Sequence, residues 1–471
     1  MLQVRRTKDP KLPGYLLAAV LSATVLLVGL STAYPGTIDW FGSLLSEDQL
    51  GGVFALVTVG ITLAVTVASL ESQRGPNSAV YYSLLSFTAL GMLLLSYSQD
   101  LLMLFVAWEL MSLPTYVLAG FDKRLRSNEA AVKYAIIGAM SSAILLYAIS
   151  LAYGLTGSTQ ISTVAQGFGS LLFSQSHPSA LASLAVLLFV AGFGFKMSIV
   201  PFHMWIPDAY EGAPTTVSTL LAAATKKAGF IAAIRVVLAI TTVYVLTQNS
   251  LFTMANVFAV LALITMTVGN ISALTQKSIT RMLAYSSIAQ AGYIMIGFVA
   301  YTNNPSSVGA TLGMTGAIFH VINHAMLTGI AFLVAAVVLL QLKRADLGAF
   351  DGLGRRMPIT AFAMAVAMLG LAGVPPLSGF WSKLLLFLSV ANGPFGWLAL
   401  AGILNSALSL GYYGWVVKRM YFDEGENSVR VAEPFWYVLV FAVLVGLVIG
   451  IGLFPQQAMN LASSAAANVG A

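Results

Sequence analysis

Long apolar stretches alternate along this chain with short polar connectors. Thirteen such stretches can be marked, at 12–34, 50–70, 78–97, 100–120, 128–154, 180–200, 213–243, 253–273, 281–301, 311–341, 358–391, 397–421 and 433–455. About 20 apolar residues in helical form cross a hydrocarbon core of about 30 Å, and a helix satisfies its own backbone groups in lipid. The pattern therefore predicts an all-α polytopic membrane protein of about 13 transmembrane helices. Two stretches depart from it. Segment 358–391 is 34 residues long. At about 1.5 Å per residue it would run about 51 Å as one helix, and prolines break helices. Gly373, Val374, Pro375 and Pro376 stand in its middle, so it reads as a broken helix. Segment 180–207 similarly runs through Gly192, Gly194, Pro201 and Pro207. Broken helices at membrane depth leave free backbone groups, tolerated only against protein or a wet cavity, and they mark ion sites in transporters built from inverted repeats.

The connectors set the topology. Those on the side of the N-terminus hold seventeen of the twenty-three Lys and Arg residues, from Arg5 and Arg6 through Arg124 and Arg126 to Arg430. The opposite connectors hold none, only Asp39, Glu47 and Asp48, with Asp100 at a span edge. By the positive-inside rule this asymmetry puts the N-terminus in the cytoplasm and, with an odd helix count, the C-terminus outside. Five spans in 78–243 and five in 253–421 then form two five-helix halves of opposite, inverted topology. Residues 1–77 supply N-terminal helices and 433–471 a C-terminal helix and tail.

Composition agrees with a membrane chain: 58% of the 471 residues are hydrophobic and 8% charged, and the mean hydropathy is +0.86. Such values lie far from those of soluble domains. The net charge of +6 is explained by the topology signals. No basic, aromatic-interleaved soluble domain exists to bind nucleic acid. The basic start runs from Met1 to Pro13 into an apolar stretch with no small-residue cleavage site, and reads as a retained first span. The absence of cysteine excludes disulfides, thiolate-held iron–sulfur clusters and cysteine-attached haem.

Against this background the ionisable residues inside the spans stand out: Glu109, Lys196, Lys226, Lys227 and Lys383. Each costs roughly 2.5–3.5 kcal/mol at mid-bilayer on the insertion scale, so each is a functional candidate. The bland alternatives are a hydrogen-bonded structural carboxylate for Glu109 and a snorkelling Lys196. Lys226 and Lys227 are neighbours, about 100° apart around a helix, and cannot share one face. Lys133 reads as an interfacial anchor. Arg235 cannot release a proton at neutral pH, so it is expected to pair with an acid or fix a field. His320 and His324 stand at i and i+4 with Asn323 between them. Without a third ligand they are expected to form a polar relay rather than a metal site. His177 and His203, at or outside span ends, carry less signal. The polar clusters PFHMWIPDAYEGAP and LAYSSIAQAGY match no nucleotide, triad or phosphate motif.

Four segments, FVAWELMSLPTYVL, GFGFKMSIVPFHMWIPDAYEGAPTTVSTLLAAATKKAGF, QKSITRMLAYSSIAQAGY and GVPPLSGFWSK, resemble the antiporter-like membrane subunits of respiratory complex I, closest to subunit N. The resemblance covers about residues 78–421. It implies that Glu109 is the family's carboxylate, Lys196 and Lys383 the lysines of the first and second broken helices, and Lys226 the central lysine, with Lys227 as an extra residue. Related subunits of the multisubunit sodium/proton antiporters tend to carry a lysine near Thr328, and the family usually has one more span at the start. The implied activity is proton translocation driven by electron transfer in partners, with Glu109, Lys196, Lys226 and Lys383 transferring protons and His320, His324, Lys227 and Arg235 as a secondary relay. A buried ammonium lacks hydration, and a nearby carboxylate offsets that loss, so moving the influence of Glu109 loads or unloads Lys196.

The same resemblance implies no cofactor in this chain. It places flavin or deazaflavin, iron–sulfur clusters and a quinone-like acceptor in partner subunits, namely other membrane subunits and a peripheral redox arm. It further implies a multi-pass home in a prokaryotic cell membrane or a thylakoid. The alternatives are a multisubunit cation/proton antiporter subunit, a self-sufficient secondary transporter, or a structural anchor whose charges are idle.

Overall fold

The computed structural model describes residues 9–32, 37–173, 178–241, 254–344, 346–425 and 429–469. Arg5, Arg6 and Lys8 of the charge count, His177, and the connector 244–252 with the adjoining end of span 213–243 lie outside the described residues. The fold is all-α and polytopic. Among the described residues, eleven helices are long and apolar enough to cross a membrane, from Leu12–Thr32 to Phe435–Leu453. Segment 358–391 is two shorter apolar helices, Pro358–Ala372 and Ser378–Ala391. Gly373 closes the first with φ +87°, its N–H donating to the carbonyls of Leu369 and Gly370. A positive φ of this kind favours glycine, and the prolines behind it cannot resume the helix.

The first break differs in detail from the glycine-based expectation. Helix Pro178–Met197 runs unbroken through Gly192 and Gly194 and stops one residue after Lys196. Turns over 198–205 then lead into the short helix Ile206–Gly212. The stretch that follows is not uniform. An α-turn at Thr215–Leu220 widens to a π-turn at Leu221–Thr225, returns to α at Lys226–Ala233 and widens again at Ile234–Leu238.

Other elements lie outside the spans. A hairpin pairs Ile38–Trp40 with Leu45–Glu47. Helix Ile161–Phe173 buries Ile161, Val164, Ala165 and Phe168 along one stripe, and helix Pro455–Ala466 packs on Val308–Leu342. The sparse acids of the lysine-free side also have tasks. Asp48 caps Gln49–Ser69 by accepting from the Gly51 N–H at 2.6 Å, and Asp100 caps Leu101–Ala119 by accepting from Leu102 and Met103.

The hub is the 35-residue helix Val308–Leu342. It touches Ile279–Asn303, both pieces of the broken segment, the Thr215–Thr225 stretch, Gln49–Ser69 and the two C-terminal helices. A helix surrounded on all sides can be apolar all round and still hold polar groups facing its neighbours. His320, Asn323 and His324 are such groups.

Candidate functional site

Lys196 ends its helix fully inside the bundle at 1% exposure, so it does not snorkel to the surface. Its Nζ donates to Ser112 Oγ at 3.1 Å and to the Tyr134 hydroxyl at 2.8 Å. Tyr134 is fixed from two sides, stacked on Trp205 at 4.5 Å and hydrogen-bonded to Thr115. Glu109 stands on the helix of Ser112, three residues earlier and so on the same face. It is only partly buried and accepts from Ser142 Oγ. The carboxylate thus shares a helix face with the serine that Lys196 binds, and its own hydrogen bond goes to Ser142.

Gly229 couples this cluster to the next one. A Cβ there would lie 3.0 Å from Lys196 Cβ and 3.1 Å from Met197 N, so glycine lets the Lys196 helix pack closely beside Lys226–Ala233. The adjacent lysines turn to different neighbours. Lys226 Nζ donates to the Ser287 carbonyl at 2.5 Å and to its hydroxyl at 3.1 Å. Lys227 Nζ meets His324 Nδ1. Both lysines are buried. It is thus Lys227, not Lys226, that touches the histidine helix.

From there the polar path continues. The rings of His324 and His320 lie parallel with centroids 6.2 Å apart. His320 Nδ1 faces Ser382 Oγ at 3.0 Å and His320 Nε2 faces Gln290 Oε1 at 2.9 Å. Gln290 Nε2 donates to the Leu371 carbonyl, which also accepts from Lys383 Nζ. Lys383 further donates to the Ala372 carbonyl and Ser406 Oγ, with its Nζ 4.7 Å from the Tyr293 ring centre. The broken helix makes this possible, because the last carbonyls before a break lack intrahelical donors. His324 Nε2 is buried without a partner.

Arg235 sits apart from this row. It forms a buried bidentate pair with Asp48, at 2.7 and 2.9 Å, and also donates to the Ser96 carbonyl. Lys133 is half-exposed and pairs with Glu129 and Asp208. Asp208, in the short connector helix, also binds Arg281 at 2.9 Å. Partial burial opposes its ionisation, but the hydrogen bonds and charges of Lys133 and Arg281 outweigh that and hold its carboxyl below the usual carboxylate range. Among the described residues no three His, Cys, Asp or Glu side chains gather as a metal site.

Reading by charge alone missed the neutral partners: Ser112, Tyr134, Ser142, Ser382 and Ser406. A signal existed for others. The polar run LAYSSIAQAGY contains Ser287, Gln290 and Tyr293, which serve Lys226, His320 and Lys383 respectively.

The chain has relatives among known proteins. The family model of the NADH:quinone oxidoreductase/Mrp antiporter transmembrane region matches residues 98–409. The chain is 41% identical over 462 residues to F(420)H(2) dehydrogenase subunit N of Methanosarcina mazei, covering 95% of this chain and 90% of that protein. It is 38% identical to NADH-quinone oxidoreductase subunit N of Desulfitobacterium hafniense, covering 92% and 88%. Among solved structures, a chain of respiratory complex I from Thermus thermophilus with bound aureothin superposes with a TM-score of 0.80 at 30% identity, covering 97% of this chain and 95% of that one.

Proposed function

This chain belongs to the NADH:quinone oxidoreductase/Mrp antiporter membrane family, and from that premise we propose that it is a subunit-N-type proton-translocating component of a complex-I-like respiratory dehydrogenase. The observation that carries the proposal is a row of buried polar groups that runs from Lys227 through His324, His320 and Gln290 to the Leu371 carbonyl, which Lys383 also binds. Intramembrane ionisable groups are costly, and a connected row of them is suited to relaying protons. Glu109 and Lys196 load the row, Lys226 and Lys227 carry charge to the histidines, and Lys383 releases it. Arg235 takes no part in the transfer; its pairing with Asp48 supports a fixed, structural charge.

Domain organisation follows the same proposal. Residues 78–243 and 253–421 are two halves of opposite topology, each with a broken fourth segment. In support, each half carries a buried lysine beside its break, Lys196 one residue before the end of Pro178–Met197 and Lys383 in Ser378–Ala391 after Gly373. The N-terminus faces the cytoplasm. Redox centres, flavin or deazaflavin, iron–sulfur clusters and a quinone-like acceptor belong to partners; for the thiolate-held clusters the absence of cysteine in this chain supports that division.

The test is redox-driven proton uptake by the intact complex in vesicles, with Lys196→Ala and Lys383→Ala. Each is expected to lower pumping on the order of a hundredfold, the usual scale for a lost proton-transfer group, with the chain still assembled. Pumping at the unmodified rate in both variants would sink the proposal.

A further inference from the structure

The resemblance to subunit N accounts for one central lysine, Lys226, yet this chain buries two neighbours there, Lys226 at 1% and Lys227 at 0% exposure. Their hydrogen-bond partners are Ser287 for Lys226 and Ala222 and His324 for Lys227, none of them a carboxylate. Two unpaired ammonium groups side by side in an apolar bundle suffer both lost hydration and mutual repulsion, so interacting sites of this kind share charge as a pair. The two side chains also serve different helices, Lys226 reaching Ile279–Asn303 and Lys227 reaching Val308–Leu342.

The backbone is adapted to this divergence. The π-turn Leu221–Thr225 immediately precedes the pair, and its Ala222 carbonyl lies 3.5 Å from Lys227 Nζ. Such wide turns recur at functional sites because they free backbone groups and change which way the following side chains face.

We propose that Lys226 and Lys227 form one proton site with two positions, in which the proton arrives on Lys226 beside Ser287 and leaves from Lys227 beside His324. In this step an N–H bond on the Lys226 ammonium breaks and an N–H bond on the Lys227 amine forms, directly or through one water. Both electron pairs stay on nitrogen and nothing is oxidised or reduced. The four-carbon stems give each amine the reach to exchange. Charge is thereby passed from one helix face to another about 100° away without leaving the helix. The inference rests on the relay reading above and adds the handover point to it.

The experiment compares Lys226→Ala, Lys227→Ala, Lys227→Arg and the double alanine variant in the intact complex, reading protons taken up per electron transferred in vesicles and co-purification of the membrane subunits. Each single alanine variant is expected to lower pumping on the order of tenfold or more, and the double variant no further than the worse single one, because two halves of one site are not additive. Lys227→Arg keeps the charge and most of the packing but cannot release a proton, so it is expected to assemble and to fail as Lys227→Ala does. If Lys227→Arg pumps at the unmodified rate, Lys227 is a structural charge and the inference is overturned, while a defective Lys226→Ala leaves the relay reading standing. Multiplied losses in the double variant would mean two independent sites and would also overturn it. Unmodified pumping in all four would overturn the relay reading itself.

Discussion

Gln290 and Lys383 donate to one and the same acceptor, the carbonyl of Leu371, at 3.1 and 2.8 Å. Leu371 lies in the last turn of Pro358–Ala372, and its carbonyl is available because the helix stops at Gly373. Through its other end Gln290 meets His320 Nε2 at 2.9 Å. A single amide therefore ties the histidine helix to the lysine of the broken one, and the break in the chain is what supplies the shared acceptor.

Gln290→Leu tests that link. Leucine nearly keeps the volume but offers no polar atom to His320 or to Leu371. Leaving buried polar partners unsatisfied costs about 1–3 kcal/mol, small enough for the subunit to assemble. Pumping is expected to fall on the order of tenfold or more while electron transfer by the complex is retained or slowed with it. Protons translocated per electron in vesicles is the measurement; an unchanged ratio would mean that protons reach Lys383 by another route.

Asp48 and Arg235 are predicted to matter for stability rather than transport. Their pair is buried, at 7% and 4% side-chain exposure. Asp48→Ala leaves the guanidinium uncompensated, which for a buried pair costs about 3–5 kcal/mol, whereas removing both charges with apolar residues of similar size is far milder. Thermal stability of the detergent-solubilised complex should drop for Asp48→Ala and recover substantially in Asp48→Leu/Arg235→Met. A double variant as unstable as the single one would assign the loss to the Asp48 helix cap instead.

Much of the fold was legible because lipid imposes its period and length on sequence, and the interruption at Gly373–Pro376 is unambiguous chemistry. The wide turns at Leu221–Thr225 and Ile234–Leu238 were not legible, since nothing in LAAAT or IRVVL distinguishes a π-turn from an α-turn. The connector helix Ile161–Phe173 did carry a signal, apolar residues at 161, 164, 165 and 168, which the polarity of its surroundings masked. At the site, spacing established that Lys226 and Lys227 diverge. Which of them meets His324 depends on how three helices pack, and that information is not local.

Topology gives a prediction independent of the site. Basic residues crowd the connectors on the side of the N-terminus and are missing from the opposite set. Reporter fusions should find the N-terminus in the cytoplasm and the C-terminus outside. Both ends on one side would mean that the number of crossings is even.

Glu109 presents the sharpest separation of charge from shape. Its oxygen accepts from Ser142, and Ser112, three residues on, accepts from Lys196. Glu109→Gln preserves a carbonyl oxygen for Ser142 and nearly the same volume, so any effect reports the charge. Neighbouring unit charges interact by up to about 4 kcal/mol at an effective dielectric of about 20, so the loss of one is enough to change proton exchange at the other by tenfold or more. Pumping by Glu109→Gln is therefore expected to slow by about tenfold. Glu109→Asp keeps the charge, shifts it by one methylene and is expected to retain part of the activity. The comparison is made on intact complex in vesicles with assembly checked by co-purification. Pumping by the Gln variant at the unmodified rate would assign Glu109 to holding the Ser142 helix in place, and would remove the carboxylate from the loading of Lys196.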